Sequence, residues 1–253
     1  MEPVRIAPVT SHAELQRCVD LQASVWGYAS GDLVPRRLFL LATKIGGQVF
    51  AAYHQTRMVG FALALPGVRD NQPYLHSHML AVDPEYRDLG IGRLLKLAQR
   101  EEALARGLRR MEWTFDPLEI KNSYFNLVKL GVMCERYEVD FYGTTSSQLQ
   151  GGLPTDRLVA CWHMDSVRVQ LALAGEPAVC QTVRRVPVPA GVAALRQNLK
   201  TLEQAKAIQI LVRQQILDAI QDGLRVMGYE RQADGGGCFL LAHTGAVGHG
   251  AVG

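Results

Sequence analysis

Apolar and polar positions change period several times along the chain, and each change marks an element. Val4-Arg5-Ile6 reads as a short strand. Ser11-x-x-Glu14 is a capping box, in which hydroxyl and carboxylate each satisfy an orphan amide at a helix start. Behind it Leu15, Cys18, Val19, Gln22, Val25 and Trp26 recur at helical spacing, and Gly27 and Gly31 break the run. Asp32-Leu33-Val34-Pro35 starts a second helix with Pro35 in its first turn, ended by Gly46-Gly47. Gln48–His54 and Val59–Leu65 read as two strands of an antiparallel hairpin joined through Gln55–Met58. Pro66–Pro73 reads as a polar loop and Tyr74–Val82 as a central strand.

A helix follows from Gly92 to about Arg106, with Leu94, Ala98, Ala105 and Leu108 inside and Lys96, Arg100, Glu101 and Glu102 outside. Met111–Phe115 is a strand closed by Asp116-Pro117. A helix over about Lys121–Leu130 ends at Gly131 in the C-cap position. Val132–Tyr142 and Leu158–Met164 are strands, with a polar loop, Gly143–Arg157, between them. The predicted order over residues 1–164 is β-α-α-β-β-β-α-β-α-β-β. Beyond it, Pro177, Pro187 and Pro189 form a stiff connector. Thr201-x-x-Gln204 is a second capping box, followed by a helical face of Ala205, Ile208, Val212, Ile216, Ala219 and Ile220 that stops at Gly228. Gly237–Ala242 is a buried strand, and the tail from Gly245 is low in complexity and expected to be disordered.

The densest chemical signal runs from Leu80 to Leu95: an apolar strand, a proline-marked turn, Arg87-x-x-Gly90-x-Gly92, and the start of a helix. Glycines let the backbone approach a ligand, because no Cβ intervenes. The first amides of a helix and its dipole together form an anion site suited to a pyrophosphate. Gly-Lys-Ser/Thr is missing, which excludes a P-loop, and no Gly-x-Gly-x-x-Gly opens an N-terminal βαβ unit. A plain reading remains, that of a glycine-rich connection without a ligand.

At 253 residues the chain suits one large domain or two small ones, and its 48% hydrophobic and 20% charged residues are ordinary for a globular protein. A net charge of +3 without a basic stripe argues against nucleic acid. Cys18, Cys134, Cys161, Cys180 and Cys238 are scattered and form no metal or disulfide pattern, so no metal is expected. The sequence shows no signal peptide and no apolar run of membrane-spanning length, which makes a cytoplasmic protein with no membrane partner the expectation.

The Arg87–Gly92 loop resembles the coenzyme A loop of the GNAT acyltransferase superfamily, Gln/Arg-x-x-Gly-x-Gly/Ala. Val82-x-Pro84-x-Tyr86-Arg87, the Leu94-Leu95 pair and the element order extend the resemblance over 1–164, about two-thirds of the chain. It implies an α/β (α+β) GNAT fold whose mixed central sheet is splayed at the coenzyme site. Residues 1–164 would be the acyltransferase domain. Residues 165–253 would be a helix-strand extension like that of a longer, sparsely characterised GNAT branch. That branch has been linked to N-acylation of amino acids, including succinyl transfer. The extension would either pack on the acceptor side or serve as a dimerisation element of a homodimer.

The resemblance also implies acetyl-CoA or another acyl-CoA as co-substrate. The backbone of Leu80, Ala81 and Val82 would pair with the pantetheine arm like an added strand. Arg87, Asp88, Leu89, Gly90, Ile91, Gly92 and Arg93 would hold the pyrophosphate, and Asn122 and Asn126 would bond pantetheine amides. An amide at Ala81 or Val82 would polarise the thioester carbonyl. His76 and His78 alternate onto one face of the central strand and are candidate bases; the other reading is histidines bonded into the sheet. Asp116 is a further base candidate or a helix cap. Of the family's Tyr-x-Lys-x-Gly pattern, Lys129 and Gly131 match, but Leu127 stands in the tyrosine position. Tyr124, one turn earlier, either replaces it as general acid or packs. Tyr137, Tyr142, Arg157 and Trp162 are candidates to line an acceptor pocket, Arg157 by pairing with a carboxylate or, instead, with Asp156; Trp26 and Trp113 read as core.

The expected function is transfer of an acetyl or other short acyl group, succinyl included, from coenzyme A to a small-molecule amine such as an amino acid, by direct attack. The rivals are a degenerate GNAT module that binds coenzyme A or a protein partner without catalysis, and, more weakly, a histone-type acetyltransferase.

Overall fold

The computed structural model describes residues 3–28, 31–143, 151–176, 178 and 180–244. They form two compact units, the first ending at Trp113 and the second beginning at Thr114. The tail from Gly245, Pro177 and residues 144–150 of the expected 143–157 loop lie outside the described residues.

The first unit contains β1 (Arg5–Pro8), α1 (His12–Trp26), α2 (Arg36–Lys44), β2 (Gln48–His54), β3 (Arg57–Arg69), β4 (Gln72–Val82), α3 (Ile91–Ala105) and β5 (Arg110–Phe115), within which the boundary falls. The strands lie in the order β1-β2-β3-β4-β5, antiparallel as far as β4, with β5 parallel to β4. One face buries Leu15, Cys18, Phe39, Ala42, Phe61, Leu63, Met79 and Ala81 under α1 and α2. The other buries Phe50, Ala52, Val59 and Ala62 under Ile91 and Leu95 of α3.

Local chemistry accounts for these elements. Ser11 and Glu14 close the capping box in both directions, at 3.2 and 2.9 Å, and Gly27 ends α1 at φ +63°. The Tyr53 hydroxyl donates to Glu14 at 2.6 Å; with the Ser11 amide it lowers the Glu14 carboxyl to about 2. Gln22 is polar on an apolar helix face because its amide pairs both ways with Val34, at 3.1 and 2.9 Å.

The second unit contains α4 (Ile120–Tyr124), running into a π-helical turn at Phe125–Lys129, then β6 (Met133–Glu138), β7 (Arg157–His163), α5 (Val167–Ala174), β8 (Arg184–Val188), α6 (Val192–Leu195), α7 (Leu202–Gln221), β9 (Arg225–Arg231) and β10 (Gly237–Ala242). Its strands lie in the order β7-β6-β9-β10-β8, each antiparallel to its neighbour. Arg168 on α5 is buried and donates to the carbonyls of Gly131, Val132 and Met227, tying the start of β6 to β9.

Several sequence expectations are corrected. Pro66–Pro73 is not a loop: β3 and β4 run on through it and turn only at Asp70-Asn71, whose φ values of +51° and +59° suit a tight hairpin. Asp32–Pro35 precedes α2 rather than starting it. The inner face of α3 is Ile91, Leu95, Lys96, Gln99 and Ala103, while Leu94 is 40% exposed. Polar Lys96 and Gln99 point inward because Ser77 of β4 meets them there: Lys96 Nζ donates to Ser77 Oγ at 2.8 Å, and Ser77 Oγ donates to Gln99 Oε1 at 2.9 Å. Burial without a carboxylate among the described contacts pushes the Lys96 ammonium well below its ordinary value, even with the Trp113 ring 3.5 Å away.

In the extension, α5, β8 and β9 were not foreseen, and the Thr201 capping box does not form. The Thr201 hydroxyl donates backwards, to Leu195 O at 2.7 Å and Asn198 O at 3.2 Å. Helix α7 stops at Gly223, with φ +82°, and Gly228 lies inside β9.

Gly60 of β3 is a packing requirement. A Cβ there would meet Ala81 O at 2.9 Å and Ile91 and Leu95 at 3.5 Å. Gly60→Ala is expected to destabilise the protein by about 1–3 kcal/mol. Chemical denaturation measures this, and an unchanged midpoint would show that α3 is not seated on β3 as described.

Candidate active site

The site begins with a defect in β4. Along β3, Leu63 faces Met79 and Ala64 faces Ser77, so His78 is an extra, bulged residue. The bulge resets the alternation. On a regular strand, residues three apart point to opposite faces. Here Ser77 and Leu80 both meet α3, Ser77 through Lys96 and Gln99, and Leu80 beside Gly92 and Ile91. Met79 and Ala81 fill the opposite core.

Pairing on the other edge of β4 ends at the same place. β5 matches β4 only at Leu75↔Met111 and His76↔Glu112. From Ser77 to Val82, β4 has no β5 partner among the described residues. The ladder between the two strands therefore stops short, leaving backbone donors and acceptors of Leu80, Ala81 and Val82 along an edge that an extended ligand can join.

That edge leads into the glycine loop. Asp83 accepts from the Glu85 amide at 3.1 Å and starts a 3₁₀ turn, Pro84–Tyr86. Arg57 braces it, at 2.7 Å from Asp83 and 3.2 Å from Glu85, with its guanidinium 5.5 Å from the Tyr86 ring. His54 Nδ1 lies 3.1 Å from the Tyr86 hydroxyl. The chain then turns through Asp88 (φ +62°) and Gly90 (φ +77°), both left-handed, into α3. Arg87 to Gly90 are exposed. The first intrahelical bond runs from Leu94 N to Gly90 O, so the amides of Ile91, Gly92 and Arg93 lie ahead of it. A Cβ on Gly90 would have nothing within 4 Å, so the loop surface is open. An open loop with helix-start amides beside an unpaired strand edge fits a pyrophosphate joined to a pantetheine arm.

His76 and His78 have ring centroids 6.0 Å apart, so they share a face. Burial lowers the His78 imidazole below its ordinary 6.5, leaving it uncharged and able to accept a proton at neutral pH. His76 faces Glu112 across the sheet. Glu112 is 1% exposed and is held by Arg69 at 3.4 Å and Arg110 at 2.5 Å, a buried ion cluster that the sequence reading missed.

The remaining predicted residues belong to the second unit. Asp116 Oδ1 accepts from Leu118 N at 2.8 Å, and Oδ2 takes Arg196 at 2.6 Å. The residue capping α4 is Glu119, so Asp116 is not the helix cap. Asn122 is exposed, Asn126 is buried, and Asn126 Nδ2 donates to Asn122 Oδ1 at 3.2 Å. Leu127 is 2% exposed and packs into the core, whereas Tyr124 is half-buried, its ring 4.1 Å from the Arg231 guanidinium. The π-helical turn widens the backbone between them, with Leu130 N bonded to Phe125 O.

Tyr137 and Trp162 are buried, each with its polar atom hydrogen-bonded within the second unit. The Tyr137 hydroxyl donates to buried Asp156 at 2.7 Å, and Trp162 Nε1 donates to Leu130 O at 2.7 Å. The Asp156 carboxylate takes Arg213 of α7 at 2.7 and 3.0 Å. Arg157 bonds the Asp156 carbonyl instead and lies 5.4 Å from the Tyr142 ring. Among the described residues no group of three or more His, Cys, Asp or Glu is placed to hold a metal, and no helix is long and apolar enough to cross a membrane.

A sheet whose middle strand is bulged, pairs only briefly with its parallel neighbour and is followed by a glycine loop and a helix agrees with the fold that the sequence resemblance implies. Residues 15–122 match the model of the Acetyltransferase (GNAT) family. Among solved structures the chain is similar to the ribosomal-protein-S18-alanine N-acetyltransferase of Escherichia coli: 16% identity, TM-score 0.51, covering 65% of this chain and 96% of that one. It is also similar to NAA60 of Arabidopsis thaliana in complex with a bisubstrate analogue: 14% identity, TM-score 0.50, covering 63% and 98%. At these identities the likeness speaks to fold alone. No curated protein matches the sequence. The GNAT fold supports acyl transfer from coenzyme A to an amine in general.

Burial of His78 has a measurable consequence. Its folded-state value lies below 6.5, so the unfolded chain binds the proton first on acidification. The stabilising contribution is complete above pH 6.5 and is lost as pH falls below it. Histidine NMR should place the His78 midpoint below 6.5, and His78→Gln should flatten stability against pH on that side. An ordinary midpoint would show the imidazole to be solvated.

Proposed function

We propose that this protein is a coenzyme A-dependent N-acyltransferase that moves an acetyl or other short acyl group to a small-molecule amine, an amino acid being the favoured class. The observation that carries this reading is the stretch of β4 from Ser77 to Val82 that β5 leaves unpaired, continuing into the exposed Gly90 loop. Residues 1–164 make up the acyltransferase domain in this reading, and 165–253 its extension.

In this reading the backbone of Leu80, Ala81 and Val82 holds the pantetheine arm, joined by Asn122 and Asn126. Arg87 through Arg93 hold the pyrophosphate, Arg87 and Arg93 by charge and the helix-start amides by donation. An amide at Ala81 or Val82 polarises the thioester carbonyl. His78 and His76 are the candidate bases, and burial keeps the His78 imidazole uncharged at neutral pH. Asp116 is disfavoured as a base, since Arg196 already occupies its carboxylate. The amine attacks the carbonyl directly, the C–S bond breaks, and Tyr124 gives its proton to the departing sulfur.

A second reading, a non-catalytic coenzyme-binding module, is favoured by one observation: Leu127, in the usual tyrosine position, is buried and cannot donate a proton. Thiol release from acetyl-CoA and succinyl-CoA across a panel of amines separates the two. His78→Ala should lower turnover by about 10²–10⁴-fold, the span of general-base catalysis. Coenzyme binding without turnover of any amine would leave the module reading. For the coenzyme site itself, calorimetry should show acetyl-CoA binding at least roughly tenfold weaker in Gly90→Trp, a loss of about 1.4 kcal/mol. Equal affinities would remove the coenzyme from this loop.

A further inference from the structure

We infer that the C-terminal extension is a working part of the transfer machinery, and that Arg231 is the residue that positions Tyr124. The inference rests on the reading of Tyr124 as the proton donor and concerns how that donor is held. Both arginines that grip the Tyr124 segment come from beyond residue 164.

The first grip is at the turn that launches α4. Arg196, at the end of α6, is 3% exposed and reaches two carboxylates, Asp116 at 2.6 Å and Glu119. Those two acids bracket Pro117-Leu118, and the turn is laced further by Leu118 N to Asp116 Oδ1 and Ser123 N to Glu119 O, each at 2.8 Å. A buried guanidinium between two carboxylates is costly to disturb, because loss of either side strands charge. The direction in which α4 leaves β5 is therefore set by the extension.

The second grip is on the tyrosine itself. Arg231 is the last residue of β9, and its guanidinium carbon lies 4.1 Å from the centroid of the Tyr124 ring. Lys129, on the π-helical turn, stands 5.8 Å from the same ring. A guanidinium held against the ring face limits the swing of the whole side chain, and hence where the hydroxyl sits. This external support matters because the backbone after Tyr124 is a widened turn rather than a regular helix. Arg231 itself is exposed, so its only described contact with the site is this ring.

The proton balance is simple. As the amine nitrogen bonds the acyl carbon and the C–S bond breaks, the phenol proton goes to sulfur and the amine proton to His78. The phenolate is then reprotonated, and His78 is deprotonated, through solvent.

The test uses the full chain with Arg231→Ala, Arg231→Lys, Tyr124→Phe and the double variant Arg231→Ala/Tyr124→Phe. With ¹³C-labelled tyrosine, the Tyr124 resonance is identified by its loss in Tyr124→Phe. It should shift in Arg231→Ala and return part-way in Arg231→Lys. An unmoved resonance overturns the inference whether or not turnover is seen. Kinetically, with acetyl-CoA and a mixture of the twenty amino acids, Arg231→Ala should lower kcat about 2- to 5-fold, the worth of an exposed cation–π contact, with KM for acetyl-CoA unchanged. In the Tyr124→Phe background the same substitution should do nothing further. An equal drop in that background would mean that Arg231 acts on general structure and would also overturn the inference. Full activity in Tyr124→Phe alone would instead show that Tyr124 is not the donor, which removes the reading on which this one rests.

Discussion

A peptide group inside a sheet must be hydrogen-bonded, because burying it unpaired costs about as much as losing the bond outright. β4 meets this requirement towards β3 as far as Val82 but towards β5 only as far as His76. Much of the first unit serves to keep that shortfall in place. α3 holds the end of β4 through Leu80 and Val82, and the α1/α2 core holds Met79 and Ala81. With both faces fixed, the strand cannot slide across to close the gap.

The bulge at His78 lets two demands coexist on one strand. It turns Ser77 towards α3, where Lys96 and Gln99 form a buried polar contact, while His78 stays on the same side as His76. Without the extra residue, Ser77 and Leu80 would lie on opposite faces, and α3 would lose either its polar or its apolar seat. A fully buried lysine with no carboxylate partner among the described contacts is an expensive way to hold a helix, and its lowered ammonium is the physical sign of that cost.

The glycine loop and the histidine alternation were legible because they rest on local rules: left-handed φ at Gly90, and a period of two for His76 and His78. The bulge was not legible, since an extra residue shows only against the partner strand. The inward face of α3 was misjudged because Lys96 and Gln99 look like solvent residues until Ser77 is placed opposite. The extension was the least legible part. β8 contains Pro187, which reads as a connector, yet it sits on an edge, where proline does not disturb the ladder. The links from Arg196 to Asp116 and from Arg213 to Asp156 span 80 and 57 positions, distances over which no local pattern operates.

The way β4 and β5 part also sets a direction. Hydrogen bonds join the strands at His76 and are not continued towards Val82, so the unpaired edge of β4 runs in one direction, towards Gly90. In the proposed reading, an extended ligand would lie along that edge with its reacting end where the ladder resumes and its charged end at the glycine loop. Polarity of insertion thus follows from strand connectivity alone, before any side chain has recognised what has come in.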